Sequence, residues 1–158
     1  MKILDGFKKI MEFFVVIVMM LMVAVIFLAT VGRYTGIYSI PWSEEFARYC
    51  MVVMVYFAAM LAAAKGAHFV VEVVPMLFPK SIVNIITIFD IVVVDLFSVF
   101  TAYTGYVKCA KLLAQGKVTP MLYLPQGVLY AVIPVGLILM AIYYTVYNIQ
   151  KIKEKEEK

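Results

Sequence analysis

Histidine and cysteine are nearly absent from this 158-residue chain: His68 stands alone, and Cys50 and Cys109 are its two cysteines. Neither cysteine belongs to a CxxC pair or has the other nearby in sequence, which excludes a local zinc site and a dithiol redox motif. The simplest expectation for both is a small buried hydrophobe. A lone His is a poor metal site, so no metal or other cofactor is expected. A four-helix thiol oxidoreductase needs paired cysteines, and a membrane hydrolase needs a nucleophile–base pair or a metal cluster. Neither is present, and no enzyme is expected. Charge is scarce too, at 15% of residues with a net +4. The lysines gather at the termini and in short connecting segments, not in a basic stripe interleaved with aromatics, so nucleic acid is not an expected partner. No internal repeat or inverted pair of broken helices is visible, although self-contained transporters often show one.

What the chain does have is apolar length. Hydrophobic residues make up 65% of it and the mean hydropathy is +0.99, whereas an ordinary soluble domain is about 45–50% apolar. A soluble domain of this size leaves too much surface in water to hide that excess. With lipid as solvent the difficulty disappears. The expected fold is an all-α integral membrane protein: one membrane domain, 1–158, with four transmembrane helices. The spans are read at about 10–32, 42–64, 81–107 and 127–148. Each meets the requirement of about 20 apolar residues for a hydrocarbon layer about 30 Å thick. Pro134 is expected to kink the last span. The segment from Lys108 to Gln126 reads as a loop broken by Gly116, Pro120 and Pro125, and the charged tail 149–158 is expected to fray in water. Between the second and third spans, segment 65–80 places Lys65, His68 and Glu72 on one helical stripe. It is expected to form a short amphipathic interfacial helix.

Orientation follows from Lys and Arg. Lys2, Lys8, Lys9, Lys65, Lys80, Lys151, Lys153, Lys155 and Lys158 fall on one side; Arg33, Arg48, Lys108, Lys111 and Lys117 fall on the other. The excess puts both termini in the cytoplasm of a multi-pass protein of a bacterial or archaeal cytoplasmic membrane. The first apolar run, Phe13 to Val31, exceeds a signal-peptide core and reads as an uncleaved anchor.

The densest polar constellation is Pro41-Trp42-Ser43-Glu44-Glu45-Phe46-Ala47-Arg48-Tyr49. Trp42 sits at the expected water–lipid boundary, and Glu44 and Glu45 fall in a first helical turn, where the dipole favours anions. Glu44 precedes Arg48 by four residues, the favourable order for a helical ion pair. Glu45 is left needing a partner at the membrane edge. The cluster reads either as a surface pair at a helix start or as a docking site for another subunit. After it, Ala58/Ala62 and Ala59/Ala63 are small residues four apart that allow close helix packing. Asp90 and Asp95 lie within the third span, where acids are functional candidates by default. Five residues apart, they diverge by about 140° around a helix, so one compact two-carboxylate site is not expected. Most tyrosines, Tyr143, Tyr144 and Tyr147 among them, read as an aromatic belt near the span ends.

Trp42, Glu44-Glu45 and Arg48, followed by Lys65-Gly66-Ala67-His68 after an alanine-rich helix, resemble the small membrane subunit, the DctQ type, of tripartite ATP-independent periplasmic (TRAP) transporters. Pro125, Tyr130, Pro134 and Gly136 also fit, and the resemblance covers nearly the whole chain. Where family members often carry a basic residue and an Asp shortly after the His, this chain has no base and keeps the acid as Glu72. The resemblance implies an accessory subunit of a sodium-coupled, binding-protein-dependent transporter for an organic acid. It implies two protein partners: a large multi-span membrane subunit that this chain packs against and steadies, and a periplasmic substrate-binding protein. Trp42, Glu44, Glu45, Arg48, His68, Glu72, Asp90 and Asp95 are then interface or structural candidates. The alternative from the residues alone is a self-sufficient small oligomeric transporter or channel, with Asp90 or Asp95 facing a pore.

Overall fold

The computed structural model describes residues 2–66 and 80–156. Four helices account for nearly all of them: α1 (Lys2–Thr35), α2 (Ser43–Lys65), α3 (Lys80–Ala114) and α4 (Gln126–Glu156). All four are long and apolar enough to cross a membrane. Helices suit these residues because hydrocarbon offers no partner to a backbone N–H or C=O, and a helix satisfies both internally. The expected interfacial helix falls almost wholly on residues 67–79, outside the described residues, and His68 and Glu72 lie there with it.

The helices run past the spans read from the sequence. α3 continues through Lys108 and Lys111 to Ala114, so the loop before α4 is 115–125 rather than beginning at Lys108. Lysines there need not end a helix: their stems lie along apolar surface while the ammonium reaches water. Lys108 places its ammonium 5.1 Å from the centroid of the Tyr130 ring on α4, a cation–π contact. α4 is helical to Glu156, so the tail expected to fray carries the last helix onward through Lys151. α4 also stays one helix through Pro134, whose ring lies against Gly105 of α3.

Local signals set the ends. α1 stops at Gly36 and α2 at Gly66, both at positive φ (68° and 69°), the left-handed conformation that costs glycine least. The Gly66 N–H donates to the Ala63 carbonyl at 3.1 Å. Trp42 caps α2 without a side-chain bond and sets its ring edge-on to Phe46, 6.0 Å between centroids.

The helices pack in the spatial order α1, α2, α4, α3. Where α2 meets α4, Gly136 leaves room for the backbone of Tyr56. Met60 and Ala63 of α2 are fully buried with Tyr143 and Tyr144 of α4, flanked by Phe7 and Met11 of α1 and Ile91 and Val94 of α3. Ala63 thus puts one of the expected small-residue pairs into protein contact. Tyr143 and Tyr144 correct the aromatic-belt reading: they are core residues, facing protein at 6% and 1% exposure. Cys50 and Cys109 are free and buried, as expected, and the Cys109 thiol donates to the Gly127 carbonyl. α1 touches the rest along a narrow stripe, with Phe14 edge-on to Phe57 at 5.9 Å. α1 and α3 leave broad apolar faces outward, including Phe13, Met20 and Phe27 on one and Phe89, Leu96 and Phe100 on the other.

Candidate functional site

The polar end of the bundle is built where the α1–α2 connection meets the 115–125 loop. The loop is a tight fold with its own internal bonds. Thr119, fully buried, exchanges bonds with Leu124: its N–H donates to the Leu124 carbonyl at 2.9 Å, and its hydroxyl accepts the Leu124 N–H at 3.0 Å. Its carbonyl accepts the Tyr123 N–H, and Tyr123 turns the chain at φ 54°. The Gln126 N–H returns to the Lys117 carbonyl and its side-chain amide to Val118. Residues 118 and 125 form an isolated bridge.

Glu45 fastens this loop to α2. Its Oε2 accepts the backbone N–H groups of Met121 at 2.8 Å and Leu122 at 3.2 Å, and the Tyr49 hydroxyl donates to Oε1 at 3.3 Å. The partner that Glu45 was expected to need is therefore not a cation but a pair of backbone donors that the turn leaves free. A carboxylate suits them because bonds to a charged acceptor are the stronger kind.

Glu44 does not pair with Arg48. It pairs with Arg33 in the last turn of α1, Nη2 to Oε1 at 2.9 Å. The loop between the two helices brings that guanidinium to the start of α2, and this longer-range pair replaces the one spacing suggested. Arg48 has no ion-pair partner among the described residues. It borders a cavity of about 650 Å³ walled by Pro41, Glu44, Glu45, Tyr49, Met121 and Tyr130, and a second hollow beside Thr30 and Arg33. Trp42, Glu44, Glu45 and Arg48 thus come together at one end of the molecule, as the sequence suggested. At the opposite end Lys65 pairs with Glu12 of α1 at 3.0 Å.

Asp90 and Asp95 meet separate hydroxyls on α4. Tyr144 donates to Asp90 Oδ2, and Thr145 donates to Asp95 Oδ2 at 2.8 Å. Adjacent residues on α4 thus answer two acids that diverge around α3. Sequence reasoning missed Thr119, Thr145 and the fully buried Asn148, whose amide donates to the Tyr144 carbonyl at 2.9 Å. For Thr119 a signal existed: a hydroxyl beside Pro120 in a turn-rich segment is suited to bond its own backbone. For Thr145 and Asn148 nothing local marks the partner.

Four membrane-length helices joined at a polar cluster on one end define a multi-pass membrane protein. Residues 22–154 match the family described as tripartite ATP-independent periplasmic transporters, DctQ component, and the chain belongs to that family. Over 103 residues it is 30% identical to a Haemophilus influenzae protein that carries the provisional name TRAP transporter small permease protein. The alignment covers 65% of this chain and 62% of that relative. The family is one of transporter components, not of enzymes.

Proposed function

We propose that this chain is the small membrane subunit of a TRAP transporter in the cytoplasmic membrane, with both termini in the cytoplasm. In this reading it packs against a large multi-span membrane subunit and holds it steady. The large subunit moves an organic acid delivered by a periplasmic binding protein and couples that movement to sodium. Membership of the DctQ family carries the proposal. The geometry supports a static role. Glu45 ties α2 to the loop before α4, Arg33 ties α1 to α2, and Lys65 ties the far ends of α2 and α1. Cross-links at both ends suit a support better than an element that must rock. Trp42, Glu44 and Arg48 would then serve either to order the start of α2 or to meet the partner, with Arg48 offering a guanidinium that has no ion pair among the described residues.

Reconstitution tests this. The chain is purified alone or with its large subunit, placed in liposomes under an inward sodium gradient, and given binding protein loaded with labelled organic acid. Uptake is expected only with all three components. Sodium-driven uptake by this chain alone would overturn the accessory role and favour the self-sufficient oligomer.

A further inference from the structure

α1 and α2 run antiparallel, tied at one end by Arg33 and Glu44 and at the other by Lys65 and Glu12. At the Arg33 end a hollow of about 580 Å³ lies between them. Small side chains make it: Ala29 of α1 and Ser43 and Ala47 of α2 are buried there and are too short to fill the space. The lining changes character with depth. Arg33 and Glu44 mark the outer end, while Ile26 and Met51, 40% and 56% exposed, rim the inner end. On each helix the two marks are seven residues apart, about 10 Å at 1.5 Å per residue. The headgroup layer is only about 5–7 Å deep on each face of a bilayer, so the inner end of the hollow reaches hydrocarbon. Polar above and apolar below over that length is the profile of a phospholipid from its phosphate into its acyl chains.

Charge decides which phospholipid. Arg33 and Arg48 both line the hollow, with Glu44 as the carboxylate between them in sequence. Glu44 answers Arg33, and Glu45 borders the neighbouring cavity instead, where it accepts the loop amides. The exposed Arg48 guanidinium, one turn further into the membrane than Glu44, has no ion pair among the described residues. A cation at that depth is costly unless its stem carries the charge up to a counterion in the headgroup layer. The flat guanidinium fork matches phosphate oxygens in pairs. Two guanidiniums against one carboxylate leave a net positive hollow, which suits a headgroup with a net negative charge. We propose that this hollow binds one acidic phospholipid, with its phosphate on Arg48 and Arg33 and an acyl chain laid over Ala29, Ala47 and Met51. The inference goes beyond the accessory-subunit reading and requires only that the chain spans a membrane.

The experiment uses the purified full chain in detergent, with phosphatidylglycerol and phosphatidylcholine of identical acyl chains as probes. Native mass spectrometry is expected to find one phosphatidylglycerol retained at least about fivefold more tightly than phosphatidylcholine, the scale of one basic side chain meeting an acidic lipid. Arg48→Gln should bring that ratio close to one, whereas Lys111→Gln, outside the hollow, should leave it unchanged. Position is read on the unaltered chain, so misfolding of a variant does not blunt the test. Phosphatidylglycerol with a diazirine in the upper half of one acyl chain should label Ile26 and Met51 ahead of Phe13 and Phe89 on the outward faces. Equal retention of the two lipids, with label spread over those faces, would make the lipid mere solvent and overturn the site. Displacement of the label by millimolar inorganic phosphate would show a small-anion site and overturn the lipid assignment. So would loss of the Ile26 and Met51 label once the large subunit is bound, since the hollow would then be a protein interface.

Discussion

At the scale of single residues, neighbouring acids do different work because their partners differ in solvent access. The Arg33–Glu44 pair is largely wet, with side chains 66% and 72% exposed. Exposed pairs contribute little after side-chain entropy and screening, so Glu44→Ala should cost less than about 1 kcal/mol. Glu45 holds two backbone N–H groups that have no other acceptor in the turn. Glu45→Ala should free the Met121 and Leu122 amides, seen as faster hydrogen exchange across 119–124 and a melting temperature below that of Glu44→Ala. Unchanged exchange at those two amides would mean the loop holds itself without Glu45. Asp90 shows the same logic in mid-membrane. Tyr144→Phe removes its donor and should cost about 1–2 kcal/mol, the scale of a polar contact between membrane helices, measurable as a lower unfolding midpoint in detergent. Asp90 and Asp95 each accept a different α4 hydroxyl, so the two acids do not converge on one ion. In the reconstituted complex, Asp90→Asn and Asp95→Asn should keep the sodium dependence of uptake, even if rate or assembly falls. Loss of sodium coupling with normal assembly would place this chain in the energising step.

At the scale of the helices, two glycines that look alike in sequence should respond oppositely to a methyl group. A Cβ on Gly136 would lie 2.6 Å from the Tyr56 Cβ and 3.4 Å from its backbone carbon, so α2 and α4 would have to separate. Overpacking of this kind costs about 1–3 kcal/mol. A Cβ on Gly105 would meet Pro134 at an ordinary 3.4 Å, and alanine is the better helix former. Gly136→Ala should therefore lower the melting temperature of the purified protein, while Gly105→Ala should hold or raise it. The four helices were legible because a long apolar run in a small chain has few outlets besides a membrane helix. Their ends were not, since Lys108, Lys111 and Lys151 read as loop or tail although a lysine near a span end can stay on the helix and reach past the lipid along its own stem. The polar cluster was legible as a place: Trp42, Glu44, Glu45 and Arg48 fall in the first two turns of α2 and its cap. Its pairing was not. Spacing favours the neighbour four residues on, whereas Glu44 found Arg33 on the previous helix and Glu45 a loop 76 positions away. Such partners are set by tertiary packing, as are Tyr144 for Asp90 and Thr145 for Asp95.

For the molecule as a whole, the ends of the helices decide which way it faces. Four spans put both termini on one side. α3, with 35 residues, is about 52 Å long at 1.5 Å per residue, well beyond a hydrocarbon core of about 30 Å. Its ends, and those of α4, must project into water or the headgroups, so the lysines they carry count toward orientation as loop lysines would. One side then has nine Lys and the other five Lys and Arg. Lys65 pairs with Glu12 on one side and Arg33 with Glu44 on the other, so these two ion pairs draw equally on both. The tail of α4 should accordingly lie in the cytoplasm and the 115–125 loop in the periplasm. Cysteine labelling can read this directly, since Cys50 and Cys109 are each only 8% exposed and can be replaced by Ala to clear the background. A membrane-impermeant maleimide applied to whole cells with a permeabilised outer membrane should label a cysteine placed at Lys117. It should leave one placed at Glu154 untouched until the inner membrane is lysed. Labelling at Glu154 in intact cells, with Lys117 protected, would invert the molecule and put the Glu45 cluster in the cytoplasm, beyond reach of any periplasmic partner.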